Sequence, residues 1–341
     1  MIRMVVSIVG VGLACPVGLT SKTATAAIRA GISRFQEIDE VVGPGGPVRA
    51  SMLAQLGADR SRTERATFFA RHALCEAVGG LGTIDALPCF FALPEPDLGP
   101  RINLEDLLRG LADVPTRAGS PLRLSLRPEA VVTAGRAGVF AALEKAIATF
   151  VDGGATTALI GGFDTLVDPE TLDALAEQDR LLGRTNLDGI IPGEAAAFIV
   201  LSALDAPSRR SALARISVSA TAHEPLSFAR ANDRASASDG LTSVFRSLRA
   251  AVDGRADRVY AGVTGEGYFG QEFAHASLRN AALMPEPLRC EPVSDALGDI
   301  GAAAGAVCLV QAVRAAAGQR SLVYASSDGG LVGGCVVEPT R

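Results

Sequence analysis

Gly135-Arg136-Ala137-Gly138 and Gly301-Ala302-Ala303-Ala304-Gly305 are the two stretches that decide the fold of this chain. The first opens a mostly apolar run, Val139 to Val151, then Asp152-Gly153-Gly154, a strand over Thr157 to Ile160, and Gly161-Gly162. The second opens a similar run, Ala306 to Ala317, then Gly318, a strand over Ser321 to Ala325, and Gly329-Gly330. The spans Gly138 to Gly162 and Gly305 to Gly329 are equally long, and the copies lie about half the chain apart. An internal repeat on this scale points to duplication of a half-molecule. Both helical runs are apolar on most faces, which predicts helices buried in the middle of the molecule.

Outward from the repeat, β-branched runs alternate with Ala/Leu-rich stretches of helical length. Val5 to Val11 precedes Thr23 to Ala30, Pro169 to Gln178 follows the first repeat strand, and Arg258 to Val263 precedes Gln271 to Leu283. This alternation predicts an α/β fold with largely buried sheets. The first half is expected to end in a strand over Ala197 to Leu201, the junction to fall at Ala206-Pro207-Ser208-Arg209-Arg210, and the second to start with a strand over Arg215 to Ala220. The division is thus residues 1–203 and 204–341. Val42 to Pro47 and Leu93 to Arg101 read as surface loops, and Ala231 to Asp239 as a polar, mobile one.

The 341 residues are 48% hydrophobic and 20% charged, enough to bury a sizeable core. The net charge is -5, with no basic block, which argues against nucleic acid. No apolar run approaches the roughly 18 residues of a membrane span, and the expected location is cytoplasmic. The six cysteines form no CxxC pair and read as buried, reduced thiols. Only His72, His223 and His275 carry imidazole. His72 and Cys75 share a helix face, but no further ligands converge there, so no metal is expected. Gly10-Val11-Gly12 follows a strand, yet Cys15 and Pro16 break the dinucleotide fingerprint, and no cofactor is expected. A nucleophile elbow and a P-loop are both missing. Two Gly-rich loops follow strands: 261–267, with Glu266 as its one ionisable side chain, and Ser327-Asp328-Gly329-Gly330, whose backbone N–H groups suit an anion nest.

The order of these segments resembles the β-ketoacyl-acyl-carrier-protein synthases, condensing enzymes of the thiolase fold, over nearly the whole chain. SIVGVGLACPVG (Ser7 to Gly18) resembles that family's opening strand and turn, and TAGRAG (Thr133 to Gly138) its Thr-Ala-Cys-x-x-Gly nucleophile segment. ALIGGFDTL (Ala158 to Leu166) and PGEAA (Pro192 to Ala196) are similar to the segments that follow. TAHEP (Thr221 to Pro225) is similar to the opening of the second half, and GDIGAAAG (Gly298 to Gly305) resembles its Gly-His-x-x-Gly-Ala-Ala-Gly helix start. Ser327 to Val332 matches the family's Phe-Gly-Gly turn loosely. The resemblance implies a thiolase-like fold, two similar halves stacked as five αβαβα layers.

In that family a Cys thiolate at a helix N-terminus takes the acyl chain, and two His act on the malonyl unit. By resemblance those positions hold Gly135, Gly262 and Asp299, and a family Lys falls at Ser294. No Cys lies between Cys89 and Cys290 and no His beyond His275, so a shift of register restores neither group. The expectation is a synthase-like protein without condensing activity. It would act as a partner or scaffold subunit in fatty-acid or polyketide synthesis, as a homodimer or a heterodimer with an active synthase. The resemblance places the dimer contact at Thr157 to Asp164. Two alternatives stay open. One is an acyltransferase or lyase with rebuilt chemistry. The other is a non-catalytic module that binds an acyl carrier protein thioester or acyl-CoA. Candidate pocket residues are Thr133, Arg136, Glu266, Asp299, Gly329 and Gly330. Asp299 and Glu266 could share a proton there, and Arg136, at a buried helix start, must find an anion.

Overall fold

The computed structural model describes residues 4–43, 46–57, 59–82, 86–115, 123–204, 211–231, 235–315 and 318–340. The chain begins β1 (Val6–Ala14), α1 (Ser21–Arg29), β2 (Phe35–Gly43), β3 (Gly46–Ser51), α2 (Arg62–Val78), β4 (Leu87–Leu93), α3 (Leu104–Leu111) and β5 (Leu124–Thr133). It continues α4 (Gly138–Val151), β6 (Thr157–Thr165), α5 (Pro169–Glu177) and β7 (Glu194–Ala203). Then come β8 (Ala214–His223), α6 (Asp239–Arg249), β9 (Arg258–Gly262), α7 (Gly267–Arg279), β10 (Cys290–Pro292), α8 (Ser294–Leu297), α9 (Ala304–Val313), β11 (Ser321–Ser326) and β12 (Leu331–Pro339).

The strand order shows the duplication directly. Five strands run β5-β4-β6-β7-β1 and five run β10-β9-β11-β12-β8, joined by a short antiparallel pairing of β1 with β8 at Val6↔Ile216 to Ile8↔Ala214. Each set pairs its first three strands in parallel and its last two antiparallel. Alternation along each strand splits its side chains between two cores. On β7, Ala195, Ala197, Ile199 and Leu201 face the central core, while Ala196, Phe198 and Val200 face an outer core with α2 and α3. On β11, Val323 and Ala325 face the centre, and Leu322 and Tyr324 face α6 and α7. The layers are therefore α2/α3, sheet, α4/α9, sheet, α6/α7, the thiolase-like arrangement. Every residue from Ala304 to Ala312 in α9 is buried, as a helix apolar all round requires.

Three expectations change. The turns before α4 and α9 begin at Gly135 and Gly301, which puts the repeat one residue out of step with the Gly138/Gly305 pairing. Residues 42–47 belong to the β2–β3 hairpin, apart from 44 and 45, which lie outside the described residues. The strand β6, read as a dimer edge, is interior to its sheet, flanked by β4 and β7. Among the described residues, the edge strand on that side is β5. The proposed junction at 206–210 and part of the 231–239 loop lie outside the described residues. Among the described residues no helix is long and apolar enough to cross a membrane.

Candidate functional site

Strand β5 ends at Thr133, and the chain turns at Gly135, whose φ of 60° suits a residue without Cβ. A 3-10 turn, Gly135–Ala137, then feeds α4. Ser327, just past β11, fixes this turn: its Oγ donates to the Ala134 carbonyl at 2.6 Å and accepts from the Ala137 N–H at 2.9 Å. The equivalent turn, Gly301–Ala303, leads into α9, with Gly301 at φ 49°. The two turns touch, and a cavity of about 440 Å³ opens beside both. Glu95, Thr133, Arg136, Arg180, Asp299 and Gly329 are among its walls.

An alternating chain of charges forms one wall. Arg136 is 3% exposed; its Nη1 donates to Asp299 Oδ2 at 2.9 Å, its Nη2 to Asp328, and its Nε to the Ser326 carbonyl at 2.9 Å. Asp299 Oδ1 accepts from the Gly301 N–H at 2.9 Å. Arg180 grips Glu266 in a two-pronged pair at 3.0 and 2.8 Å and reaches Asp328 Oδ2 at 2.6 Å. The guanidinium planes lie over aromatic rings, Arg136 on Phe269 at 4.8 Å and Arg180 on Phe228 at 4.6 Å. Burial alone would raise the Asp328 carboxyl, but Arg136 and Arg180 outweigh it and hold it below the usual range. Burial raises Glu266 above its usual range in spite of Arg180.

Glu95, on the loop after β4, belongs to no ion pair among the described residues. Its Oε1 accepts from the Gly329 N–H at 2.7 Å and its Oε2 from the Asp328 N–H at 3.1 Å. Burial first, and then the neighbouring Asp328 charge, push its carboxyl up. Behind Arg136, Glu272 on α7 accepts from Ser326 Oγ at 2.5 Å; burial, with the charge of Glu224 adding to it, raises it to about 7.

The structure sorts the sequence candidates into two groups. Thr133, Gly135, Arg136, Asp299 and Gly329 line the cavity, with Thr133 exposed at its rim. Gly262, Glu266 and Gly330 do not line it. Glu266 stands behind Arg180, and Gly330 packs on the Glu224 carbonyl. Asp299 and Glu266 do not share a proton, because each is bound by its own arginine. A Cβ at Gly262 would lie 2.9 Å from the Ala325 Cβ and 3.2 Å from the α9 backbone, so a larger side chain there requires the sheet and helix to move. Sequence reasoning missed Glu95, Arg180 and His223 as cavity residues. It read residues 93–101 as surface, whereas they supply Glu95 and carbonyls of Leu98 and Pro100 that accept from Arg62. Among the described residues the lining holds no cysteine and one histidine, exposed His223. Burial pushes the Cys15 and Cys290 thiols up to about 12, away from nucleophilic form at neutral pH. No group of three or more His, Cys, Asp or Glu among the described residues is arranged to hold a metal.

Solved structures share this architecture along the whole chain. The ishigamide ketosynthase/chain length factor superposes with a TM-score of 0.69 at 18% identity, covering 98% of this chain and 99% of that one. The ketosynthase from module 6 of the bacillaene synthase of Bacillus subtilis 168 gives 0.71 at 13% identity, over 99% of this chain and 72% of that one. A chain from AntDE:AntF, a type II PKS acyl-carrier protein in complex with its ketosynthase bound to the hexaketide, gives 0.70 at 12% identity and full coverage of both. The fold is therefore that of the ketosynthases. No family model and no curated protein matches the sequence.

Proposed function

We propose that this chain is a ketosynthase-like subunit without condensing activity, working beside an active ketosynthase in polyketide or fatty-acid synthesis. The observation that carries the reading is the Asp299–Arg136–Asp328 bridge. In the register given by the resemblance, Asp299 stands where an imidazole would act and Gly135 where a thiol would, and Asp299 is committed to a buried guanidinium. Protonating Asp299 would remove one of the anions that balance Arg136, so it is poorly suited to acid–base work. The packing against Gly262 supports the same reading. The likeness to a ketosynthase/chain length factor favours a partner role over a solitary one.

The free edge of β5 is the surface on which a second subunit would add. Its pairing with β4 breaks between Leu126 and Val131, where Arg127, Pro128 and Glu129 are exposed, so a partner strand would pair to either side of this break. The test is the mass in solution, alone and mixed with a ketosynthase that keeps its Cys and His. The reading predicts a homodimer near twice 35.0 kDa, or a one-to-one heterodimer. A monomer in both samples overturns it.

A second reading, a module that binds acyl thioesters without turnover, is supported by the cavity itself. It predicts that the thermal midpoint rises with acyl-CoA or acyl carrier protein.

A further inference from the structure

The guanidiniums that line the cavity are all engaged, whereas two of its carboxylates are paired with no cation among the described residues. Every nitrogen of Arg62, Arg136 and Arg180 already donates within the protein. Arg62 holds Asp164 with Nε and Nη2, and its Nη1 meets the Leu98 and Pro100 carbonyls. Arg136 is divided among Asp299, Asp328 and the Ser326 carbonyl, and Arg180 between Glu266 and Asp328. The two carboxylates left are Glu95 and Asp97. Each Glu95 oxygen accepts one backbone N–H, which leaves each a lone pair for a further donor. Asp97, two residues on, is exposed. The described lining thus carries five carboxylates against three guanidiniums, and Glu266 draws on Arg180 from behind. A bound anion would meet no free guanidinium and would add to this excess, whereas a cation would offset it. Burial and the Asp328 charge already raise Glu95, the response of a carboxylate short of positive charge. Pro94, Leu98, Phe228 and Leu331 give the same cavity an apolar wall.

We propose that this cavity binds a small alkylammonium ion, with Glu95 and Asp97 taking the ammonium group and the apolar wall its chain. The ligand class is a primary amine, three N–H donors on one charged nitrogen at the end of a few methylenes. A cavity of about 440 Å³ has room for it. The inference concerns binding only, with no bond made or broken. It goes beyond the subunit reading and does not depend on it, since the charges of the wall are the same whether or not the chain has a partner. A neutral acyl chain would be held by the apolar wall alone, so one titration separates the two ligand classes.

The experiment titrates the full chain with n-butylammonium chloride, 1-butanol and sodium butyrate, which put a positive, a neutral and a negative head on similar alkyl chains. Calorimetric binding and thermal midpoint are read near neutral pH at constant ionic strength. Butylammonium is expected to bind about tenfold or more tightly than butanol or butyrate. Glu95→Gln drops the charge and keeps an acceptor for the backbone N–H groups; it is expected to weaken butylammonium binding about tenfold, and Asp97→Asn by a smaller factor. Asp152→Asn removes an exposed carboxylate at the far end of α4 and is expected to leave binding unchanged. If Glu95→Gln does not fold, Glu95→Ala and the exposed Asp97→Asn read the same loss. Equal binding of butylammonium and butanol assigns the cavity to apolar ligands and overturns the proposal. So does wild-type affinity for butylammonium in the Glu95 variant, an equal loss in Asp152→Asn, or no binding of butylammonium to the wild type.

Discussion

The two turns that open α4 and α9 have the same backbone and opposite fates. Each begins with a glycine at positive φ, and each has a carboxylate against it. At the second turn the carboxylate is Asp164, 1% exposed. It accepts from the Ala302 N–H at 3.0 Å and the Thr165 N–H at 2.8 Å, and Arg62 holds it with Nε at 3.1 Å and Nη2 at 2.9 Å. At the first turn the carboxylate is Glu95, reaching in from a loop and, among the described residues, bound by backbone N–H groups rather than by arginine. One turn is clamped and the other is merely filled. A duplicated element thus need not keep duplicated partners: both turns border the cavity, one with its carboxylate clamped by arginine and the other with a carboxylate held by backbone N–H groups.

Breaking the clamp should have the largest effect. Arg62→Ala leaves Asp164 buried without its partner and is expected to cost about 3–5 kcal/mol, read from the denaturant midpoint. A loss below about 1 kcal/mol would mean that the second turn is no more rigid than the first. Next is the proton behind the first turn. Glu272 is raised from 4.5 to about 7 in the folded protein, so folding takes up a proton between those values. Its contribution therefore favours the fold at low pH and is lost as pH rises through that window, a cost of up to roughly 3 kcal/mol at higher pH. Stability curves of wild type and Glu272→Gln should diverge between pH 4.5 and 7 and run parallel outside it. Parallel curves throughout would remove this asymmetry. Third, the glycines can be compared directly. Gly135→Ala and Gly301→Ala each pay about 1–2 kcal/mol for a left-handed residue. The Cβ at 301 also lies 2.0 Å from the clamped Asp164 Oδ2, whereas at 135 it meets the movable end of Glu95. Gly301→Ala should be the more damaging by about 1 kcal/mol or more in the same denaturation assay. Smallest of all, Glu95→Ala should change stability by less than about 1 kcal/mol, since a half-buried carboxylate held at a raised pKa gains little from its site.

Much of this architecture is legible in the sequence. The repeat, the small-residue helices and the β-branched runs pointed to two similar α/β halves with buried sheets and central helices, because burial on both faces of a sheet leaves its mark on every strand; the five-layer stacking came from the resemblance. The sequence required an anion for Arg136 at a buried helix start and left open whether Asp299 or a ligand would supply it; the fold brings Asp299 and Asp328 to it. The rest was hidden by distance along the chain. Arg180 follows α5 with nothing nearby to mark it, and it meets Glu266 and Asp328 only through the fold. Glu95 sits among prolines that signal a loop without saying that the loop turns inward. Gly262 showed that an imidazole was missing, but only the contact with Ala325 and α9 showed that its space had closed. The edge strand was misplaced because sheet order, unlike strand identity, depends on which segments cross over.

Under the proposed function, the cavity beside Gly135 performs no acyl chemistry. The most direct test is an intact mass spectrum of the protein after incubation with an acyl-carrier-protein thioester and malonyl-CoA, with carbon dioxide release followed in the same sample. The account predicts an unmodified mass and no carbon dioxide above the protein-free control. An acyl adduct on any residue, or steady decarboxylation, contradicts it.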